Sequence, residues 1–352
     1  MSLSCSVLRR PNRLSEIARN TDLHFCRVIQ AKMNTPLTNS TTAEKIEATT
    51  LDFPRYVLLT AAYNEEPGIA RIIESVVAQT HRPKEWVIVD DGSTDGTLEI
   101  LRRYAQSWPF IHVVARKKEK SVGHNWAARV DAINYAGSQL SSIDYQYIGI
   151  LDADITLEPN YYQSVVARMT QRPQLGVAGG NLYERQNGQF RPRPGNRSFH
   201  VPGAVQLFRR ECYEKVGGLK AFRGGHDDTV AEITARMYGW KSESFDDLPV
   251  YHHRPTGITG TTVLRARFSE GSTQYCVGYH PLFQFFNCLR RIGSRPYVAG
   301  AAARLAGYWV SALSGEQRHT SPEFIAYLQK EQLSRIKSLF WKPAAKSALP
   351  NS

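Results

Sequence analysis

Apolar runs of strand length alternate with amphipathic stretches of helix length from residue 56 onward, and this alternation limits the folds open to the chain. The runs that predict buried strands are YVLLTAA (56–62), WVIVD (86–90), IHVVA (111–115) and YIGILD (147–152). The stretches that predict helices include residues 67–79, 97–105, 124–136 and 227–240. Strands that are apolar on both faces, each followed by a helix, are typical of a mostly parallel sheet covered on both sides. We therefore predict an α/β fold for this region.

The positive charge of the chain lies at its two ends. The net charge is +12, of which residues 1–32 carry +4, residues 33–259 carry none and residues 260–352 carry +8. A nucleic-acid-binding domain would place a basic stripe on its folded core, so we expect no nucleic-acid partner. The five cysteines are scattered, and the N-terminus has no apolar signal segment. These features predict a cytoplasmic protein, with a peripheral position on the inner face of the plasma membrane as a further expectation.

Acidic and polar side chains follow three of the predicted strands directly. They occupy residues 63–66, 90–96 and 152–154, and the last segment contains Asp152 and Asp154. The carboxyl ends of strands in such a sheet lie at the edge where ligands bind. Some of these residues could be helix N-caps, but capping does not explain why carboxylates accumulate at one edge. Two carboxylates this close together require a divalent cation or a ring of donors to compensate their charge.

Three motifs resemble those of the inverting family 2 glycosyltransferases of the GT-A fold. They are TAAYNEE (60–66), VIVDDGSTDGT (87–97) and ILDADITLEPNYY (150–162). The resemblance covers about residues 55 to 260 and implies a nucleotide-sugar donor with bound Mn²⁺ or Mg²⁺. Neither a GxGxxG nor a GxxxxGK[ST] sequence is present, which weakens dehydrogenase and ATPase interpretations. Processive polysaccharide synthases carry QxxRW where this chain has QLSRI, so the resemblance implies a non-processive transferase.

The resemblance also assigns roles to single residues on the donor side. The residues predicted to bind the nucleotide sugar are Tyr63, Asn64, Glu65, Asp91 and Asp152. Asp154 is predicted as the direct metal ligand. The segment VYHHRP (250–255) supplies two histidines, of which His253 is predicted to help bind the metal, because neutral imidazole suits Mn²⁺.

An acidic pair on a predicted helix resembles the catalytic pair of the same family. The segment GGHDDTVAEITARMYGW (224–240) matches the family pattern of two acids followed by a helix that ends in glycine. Asp228 is therefore predicted as the base that deprotonates the acceptor hydroxyl. Asp227 stands where glutamate is usual. The alternative is that both aspartates only stabilise the helix dipole.

Composition divides the chain into three parts. Residues 1–50 are polar and aperiodic and are predicted to be a disordered tail, residues 51–260 form the GT-A catalytic domain, and residues 261–345 form a basic and aromatic helical extension. Interleaved arginines and aromatic residues are typical of helices that lie on an anionic membrane surface. The competing interpretation is a helical subdomain packed on the core or on a second copy of the chain.

The predicted function combines these interpretations. We expect an inverting, metal-dependent transfer of a sugar from a nucleotide-diphosphate donor to a hydroxyl group of a glycan or lipid-linked acceptor. The alternative is a non-catalytic module of the same fold that binds nucleotide sugars or glycans.

Overall fold

The computed structural model describes most of the chain from residue 53 to residue 340. The described ranges are 53–116, 126–186, 188–193, 197–222, 225–254, 262–293 and 296–340. The predicted disordered tail lies outside them.

One mixed sheet organises the described residues. Its strands are β1 (Tyr56–Ala62), β2 (Glu85–Asp90), β3 (Ile111–Ala115), β4 (Tyr147–Ile150), β5 (Ile155–Leu157), β6 (Leu175–Gln186), β7 (Gln189–Pro192), β8 (Leu207–Arg209) and β9 (Lys241–His252). Their order is β3-β2-β1-β4-β8-β6-β9-β5, with β7 paired to β6. The strands β3, β2, β1 and β4 are mutually parallel, whereas β8 runs antiparallel to both β4 and β6. The predicted α/β class is thus confirmed.

Helices cover both faces of the sheet and continue into a C-terminal extension. They are α1 (Ile69–Val77), α2 (Thr97–Ser107), α3 (Trp126–Ser138), α4 (Tyr161–Gln171), α5 (Arg210–Val216), α6 (Asp227–Met237), α7 (Val263–Val277), α8 (Pro281–Arg290), α9 (Tyr297–Leu313) and α10 (Pro322–Phe340). Apolar residues of α1, α2 and α4 join one hydrophobic core, and those of α3, α5 and α6 join a second core on the opposite face. Because both faces are covered, β1 and β2 are buried along nearly their whole length, as their apolar runs predict.

The helical extension packs on the outer side of α6. A third apolar cluster joins Val230 and Ile233 of α6 to Val277, Phe324 and Leu328 of the extension. Within the extension, α7 and α9 approach so closely that a Cβ at Gly271 would lie 1.8 Å from the Arg304 carbonyl oxygen. Only glycine permits this contact of two backbones. Among the helices that the structure describes, none combines the length and apolar character needed to cross a bilayer.

Strand β9 shows neither an apolar run nor a clear alternation in the sequence. It has 12 residues, ends at His252 and pairs in parallel with β6. Its charged residues hide the apolar alternation, because many of its side chains stay at least partly exposed. Before the short strand β8, the chain forms a 3₁₀ turn at Gly203–Val205.

Candidate functional site

The loops after β1 and β2 are locked together by side chain to backbone hydrogen bonds. The Asn64 amide N–H donates to Ser93 Oγ (3.0 Å), and the Thr94 amide N–H donates to Asn64 Oδ1 (2.8 Å). The Glu65 amide N–H donates to Thr97 Oγ1 (2.8 Å). Asn64 adopts a φ of 54°, a left-handed conformation that asparagine accepts more readily than most residues. The first two predicted motifs therefore form one structural unit, with half-buried Tyr63 in the same turn.

Asp91 lies at the end of β2 and is almost fully buried. Its Oδ1 accepts a hydrogen bond of 2.6 Å from Arg116 Nε, just after β3. This buried carboxylate is therefore satisfied by a charge-assisted hydrogen bond.

A single guanidinium joins the third motif to the acidic pair of α6. Arg129 of α3 donates from Nε to Asp152 Oδ1 (2.8 Å) and from Nη1 to Asp227 Oδ2 (3.1 Å). Its Nη2 also donates to the Gly203 carbonyl oxygen (3.0 Å). Burial raises the pKa of Asp227 to about 6, against the attraction of Arg129. Two motifs that are far apart in the sequence thus face each other across the width of one side chain.

Asp154 is surrounded by cationic groups. Its Oδ2 lies 3.3 Å from His252 Nε2 and accepts a hydrogen bond of 2.9 Å from Arg254 Nε. Arg254 donates in addition to Glu65. Burial opposes the charge of Asp154, but His252 and Arg254 outweigh it and lower the pKa of this carboxyl group. Burial raises the pKa of Glu65 to about 7, against the attraction of Arg254 and assisted by repulsion from Asp154.

The donor atoms beside Asp154 suit a divalent metal in part. Within the described ranges, no three His, Cys, Asp or Glu side chains converge in a way that could hold an ion. Asp154 and His252 nevertheless offer one oxygen and one nitrogen, which Mn²⁺ accepts. Arg254 already places a positive group between Asp154 and Glu65. This partial set fits a divalent metal only where further oxygen ligands complete it.

The two neighbouring histidines face different surroundings. His252 lies against Asp154, whereas His253 Nε2 lies 2.9 Å from Thr156 Oγ1 and its ring packs edge-on against Phe190. The metal role of His253 remains a prediction, and the geometry makes His252 the imidazole beside Asp154.

Asp228 lies in the first turn of α6, beside two histidines. The preceding His226 has a φ of 74°, a conformation that costs energy in a non-glycine residue and is found at functional sites. Asp228 Oδ1 accepts from the Thr229 amide N–H (2.6 Å). Burial disfavours the charged form of Asp228, but His200 and His226 outweigh burial and lower the pKa of this carboxyl group. Asp228 is half-buried, so it stays accessible to an acceptor.

His200 is held by a buried carboxylate. Its Nδ1 lies 2.8 Å from Glu232 Oε2, and Glu232 Oε1 accepts from the Val201 amide N–H (2.5 Å). Burial alone would lower the pKa of His200, but Glu232 raises it to about 9. The imidazole is therefore charged at neutral pH and stabilises the ionised form of Asp228.

Sequence reasoning missed three residues of this site: Arg129, Arg254 and His200. None belongs to a motif that the chain shares with the resembled family. Arg254 directly follows the two histidines, which is the one local signal that could have identified it. The other two reach the site only through the packing of α3 and of the segment before β8.

Comparisons with known proteins agree with the three motifs. Residues 58–232 match the family model described as Glycosyl transferase family 2. The chain is 26% identical over 254 residues to the beta-monoglucosyldiacylglycerol synthase of Synechocystis sp., covering 66% of this chain and 51% of that protein. It is 28% identical over 238 residues to the poly-beta-1,6-N-acetyl-D-glucosamine synthase of Staphylococcus epidermidis, covering 60% and 53%. The chain spans about half the length of these two curated relatives.

Among solved structures, the chain matches the mannosyltransferase PcManGT from Pyrobaculum calidifontis in complex with GDP-Man and Mn²⁺. The match has a TM-score of 0.49 and 17% sequence identity, and it covers 94% of this chain and 91% of the other.

Proposed function

Because the chain belongs to glycosyltransferase family 2 and has the predicted GT-A fold, we propose that it transfers a sugar from a nucleotide-diphosphate donor to an acceptor hydroxyl group, with inversion at the anomeric carbon. The observation that carries this proposal is the bridge from Arg129 to Asp152 and Asp227. It brings the donor-side motif and the acidic pair of α6 to one site, as a direct displacement requires. The proposed acceptor is a glycan or a lipid-linked glycan.

On the donor side, the residues proposed to bind the nucleotide are Tyr63, Asn64, Glu65, Asp91 and Asp152. Their loops are locked by the hydrogen bonds between Asn64, Ser93 and Thr94, so a bound nucleoside would meet a preformed surface. Asp154 and His252 would hold Mn²⁺ or Mg²⁺. When bound, the metal would supply Lewis-acid stabilisation of the departing diphosphate.

On the acceptor side, Asp228 is the proposed base. Its carboxylate accepts the proton of the acceptor hydroxyl while the oxygen bonds to the anomeric carbon and the bond from that carbon to the diphosphate oxygen breaks. His200 and His226 keep Asp228 ionised, so it is ready to accept a proton. Asp227, paired with Arg129, holds the base helix against the donor side.

A nucleotide-dependent stability measurement tests the donor and metal assignments. A ligand that binds only the folded protein raises its melting temperature. We expect a nucleoside diphosphate to raise it with Mn²⁺ and to lose this effect on chelation or in Asp154→Ala. Asp131→Ala on the exposed face of α3 serves as a matched control. No nucleotide effect on the parent protein would refute the donor proposal. Nucleotide binding without transfer to any acceptor would favour the non-catalytic alternative.

We further propose that residues 261–345 form a separate extension that rests on an anionic membrane surface, which would give the protein a peripheral position on the cytoplasmic side. Large apolar side chains are exposed on three of its helices. They are Val263, Leu264 and Phe268 on α7, Leu282, Phe285 and Leu289 on α8, and Tyr297, Val298, Trp309, Val310 and Leu313 on α9. An exposed apolar surface of this extent typically marks an interaction site.

A further inference from the structure

A group of arginines surrounds Tyr279 beside the proposed base. Tyr279 follows α7, and its hydroxyl interacts electrostatically with the carboxylates of Asp228 and Glu270 and with the guanidinium groups of Arg291 and Arg335. Burial, reinforced by the two carboxylates, raises the pKa of Tyr279 to about 12, so its hydroxyl remains a neutral donor at physiological pH. A chain of ion pairs connects Arg335 to this side of α6: Arg335 and Arg236 both pair with Glu331. Arg236 Nη1 also lies 3.8 Å from Glu232, the partner of His200.

Positive charge exceeds negative charge around Glu270. Arg304 Nη2 lies 2.5 Å from Glu270 Oε2, Arg267 Nη1 lies 3.0 Å from the same oxygen, and Arg291 Nη1 lies 4.0 Å from Oε1. One carboxylate thus lies beside three guanidinium groups. Among the described atoms, the buried Nε groups of Arg291 and Arg304 have no hydrogen-bond partner.

Two arginines share one aromatic ring. The guanidinium groups of Arg197 and Arg335 both lie over the ring of Phe199, at 5.6 and 4.4 Å from its centroid. Arg335 pairs with Glu331, but Arg197 and Arg290 have no carboxylate within 4.0 Å in the part of the chain that the structure describes. Burial and the repulsion of Arg290 and Arg335 lower the pKa of Arg197. An excess of positive charge at one part of the surface favours an anionic ligand.

We propose that Arg197, Arg290, Arg291 and Arg335 form an anion subsite that holds a phosphate group of the acceptor and so directs its hydroxyl group to Asp228. This inference rests on the proposed function and names the acceptor class, a phosphate-bearing compound. Guanidinium groups bind phosphate oxygens through paired, charge-assisted hydrogen bonds, and four of them exceed what a neutral sugar needs.

The exposed apolar face of α8 indicates where the rest of the acceptor lies. Leu282, Phe285 and Leu289 are exposed at spacings of three and four residues, so they line one face of this helix, and Arg290 follows them directly. An apolar chain along this face would bring its phosphate to the arginines. A phospholipid and a free phosphate ester share the same headgroup chemistry, and the experiment must separate them.

Vesicle sedimentation and competition provide the test. The full chain is mixed with phosphatidylcholine vesicles that contain or lack phosphatidic acid, with and without glycerol 3-phosphate as a soluble competitor. We expect sedimentation with phosphatidic acid, and partial release by glycerol 3-phosphate. Loss of two charge-assisted contacts in the double variant Arg197→Gln, Arg290→Gln should weaken binding about tenfold or more. Arg102→Gln, an exposed arginine of α2, is the matched control and should bind like the parent protein.

Each outcome is decisive. Release by glycerol 3-phosphate from phosphatidic acid vesicles supports the subsite with a lipid source, and binding of glycerol 3-phosphate alone supports it with a soluble source. Equal binding by the double variant and the parent protein, or no binding of either phosphate, overturns the subsite. Because Arg197 and Arg290 have no carboxylate partner, the double variant should melt like the parent protein, which excludes misfolding as the cause. Failure of the proposed function would appear separately, as absence of nucleotide-dependent stabilisation in the parent protein.

Discussion

The guanidinium group of Arg254 donates from Nε to the carboxylate of Asp154, with 2.9 Å between the nitrogen and Oδ2. The same group donates to Glu65, so one arginine pairs with two carboxylates of the candidate site. The divalent ion proposed at Asp154 would have to compete with this cation. We therefore expect Arg254 to oppose metal binding.

Replacing Arg254 with glutamine should strengthen metal binding in the absence of nucleotide. The substitution removes the positive group that competes for Asp154 and leaves the carboxylate in place. We expect Mn²⁺ to bind about tenfold more tightly. This corresponds to roughly 1.4 kcal/mol of binding free energy, because the ion no longer meets the repulsion and competition of the guanidinium group. Isothermal titration calorimetry with Mn²⁺ measures it. Arg103→Gln, an exposed arginine of α2, is the control, and unchanged or weaker Mn²⁺ binding in Arg254→Gln contradicts the competition.

The two aspartates of α6 should differ when each is replaced by asparagine. Asp228→Asn keeps the shape of the side chain but cannot accept a proton, so kcat should fall by roughly 10²- to 10⁴-fold with an unchanged donor Kd. Asp227→Asn should lose less activity, because an amide oxygen can still accept the hydrogen bond from Arg129. Steady-state kinetics with the donor in excess and equilibrium donor binding check both variants. Comparable kcat values for Asp228→Asn and the parent protein rule out Asp228 as the base.

His200 should set the pH range in which Asp228 works. Removal of the imidazolium in His200→Gln takes away the largest of the attractions that lower the pKa of Asp228. The acidic limb of the pH profile of kcat/KM should therefore move to higher pH. A merely structural role of His200 would reduce the rate without moving this limb.

The same variant provides a stability test with a defined sign. The folded-state pKa of His200, about 9, is raised above its ordinary value of 6.5. Its pairing with Glu232 thus stabilises the protein fully below about pH 6.5 and loses this contribution as the pH rises through about 9. The difference in unfolding free energy between the parent protein and His200→Gln should shrink over this range. A difference that is independent of pH contradicts the charged pair.

The fold could be predicted from the sequence because its central strands are short and apolar and are separated by stretches with helical periodicity. YVLLTAA and WVIVD are buried on both faces, so their pattern survives without knowledge of their neighbours. Strand β9 could not be predicted in full, because its pairing with β6 depends on contacts distant in the sequence. Its charged residues also interrupt the apolar pattern of a strand. Hydrophobic periodicity and strand propensity indicate local structure, whereas the pairing of β9 with β6 depends on the tertiary fold.

The acidic residues of the candidate site could likewise be named as candidates from the sequence, whereas its basic residues could not. Asp152, Asp154 and Asp228 stand in motifs at strand or helix ends, where the residue type and position predict chemistry. Arg129 and His200 instead belong to no motif, and they meet the carboxylates only after α3 and α6 pack on the sheet. An arginine in a sequence is ordinarily a solvated surface residue, so only the structure distinguishes these from the rest.

The exposed face of α9 should mediate membrane binding. Arg304 is the only charged residue of this helix and is 2% exposed, whereas Leu313 is 85% exposed and Trp309 and Val310 are also exposed. Replacing Trp309 and Leu313 by aspartate places two negative charges on an apolar surface that would meet anionic lipid. We expect the double variant to lose sedimentation with phosphatidylglycerol vesicles.

The control for this prediction is a matched apolar residue outside the extension. Ile143 is 83% exposed in the loop before β4, so Ile143→Asp adds a charge at an equally exposed site and should leave vesicle binding unchanged. Binding by the parent protein should weaken as salt rises, because the arginines of the extension contribute an electrostatic part that ions screen. If the α9 face instead covers a second copy of the chain, the parent protein elutes as a dimer in size-exclusion chromatography, and the double variant becomes monomeric without any change in sedimentation with vesicles. These two results together would assign the face to self-association and remove the membrane proposal.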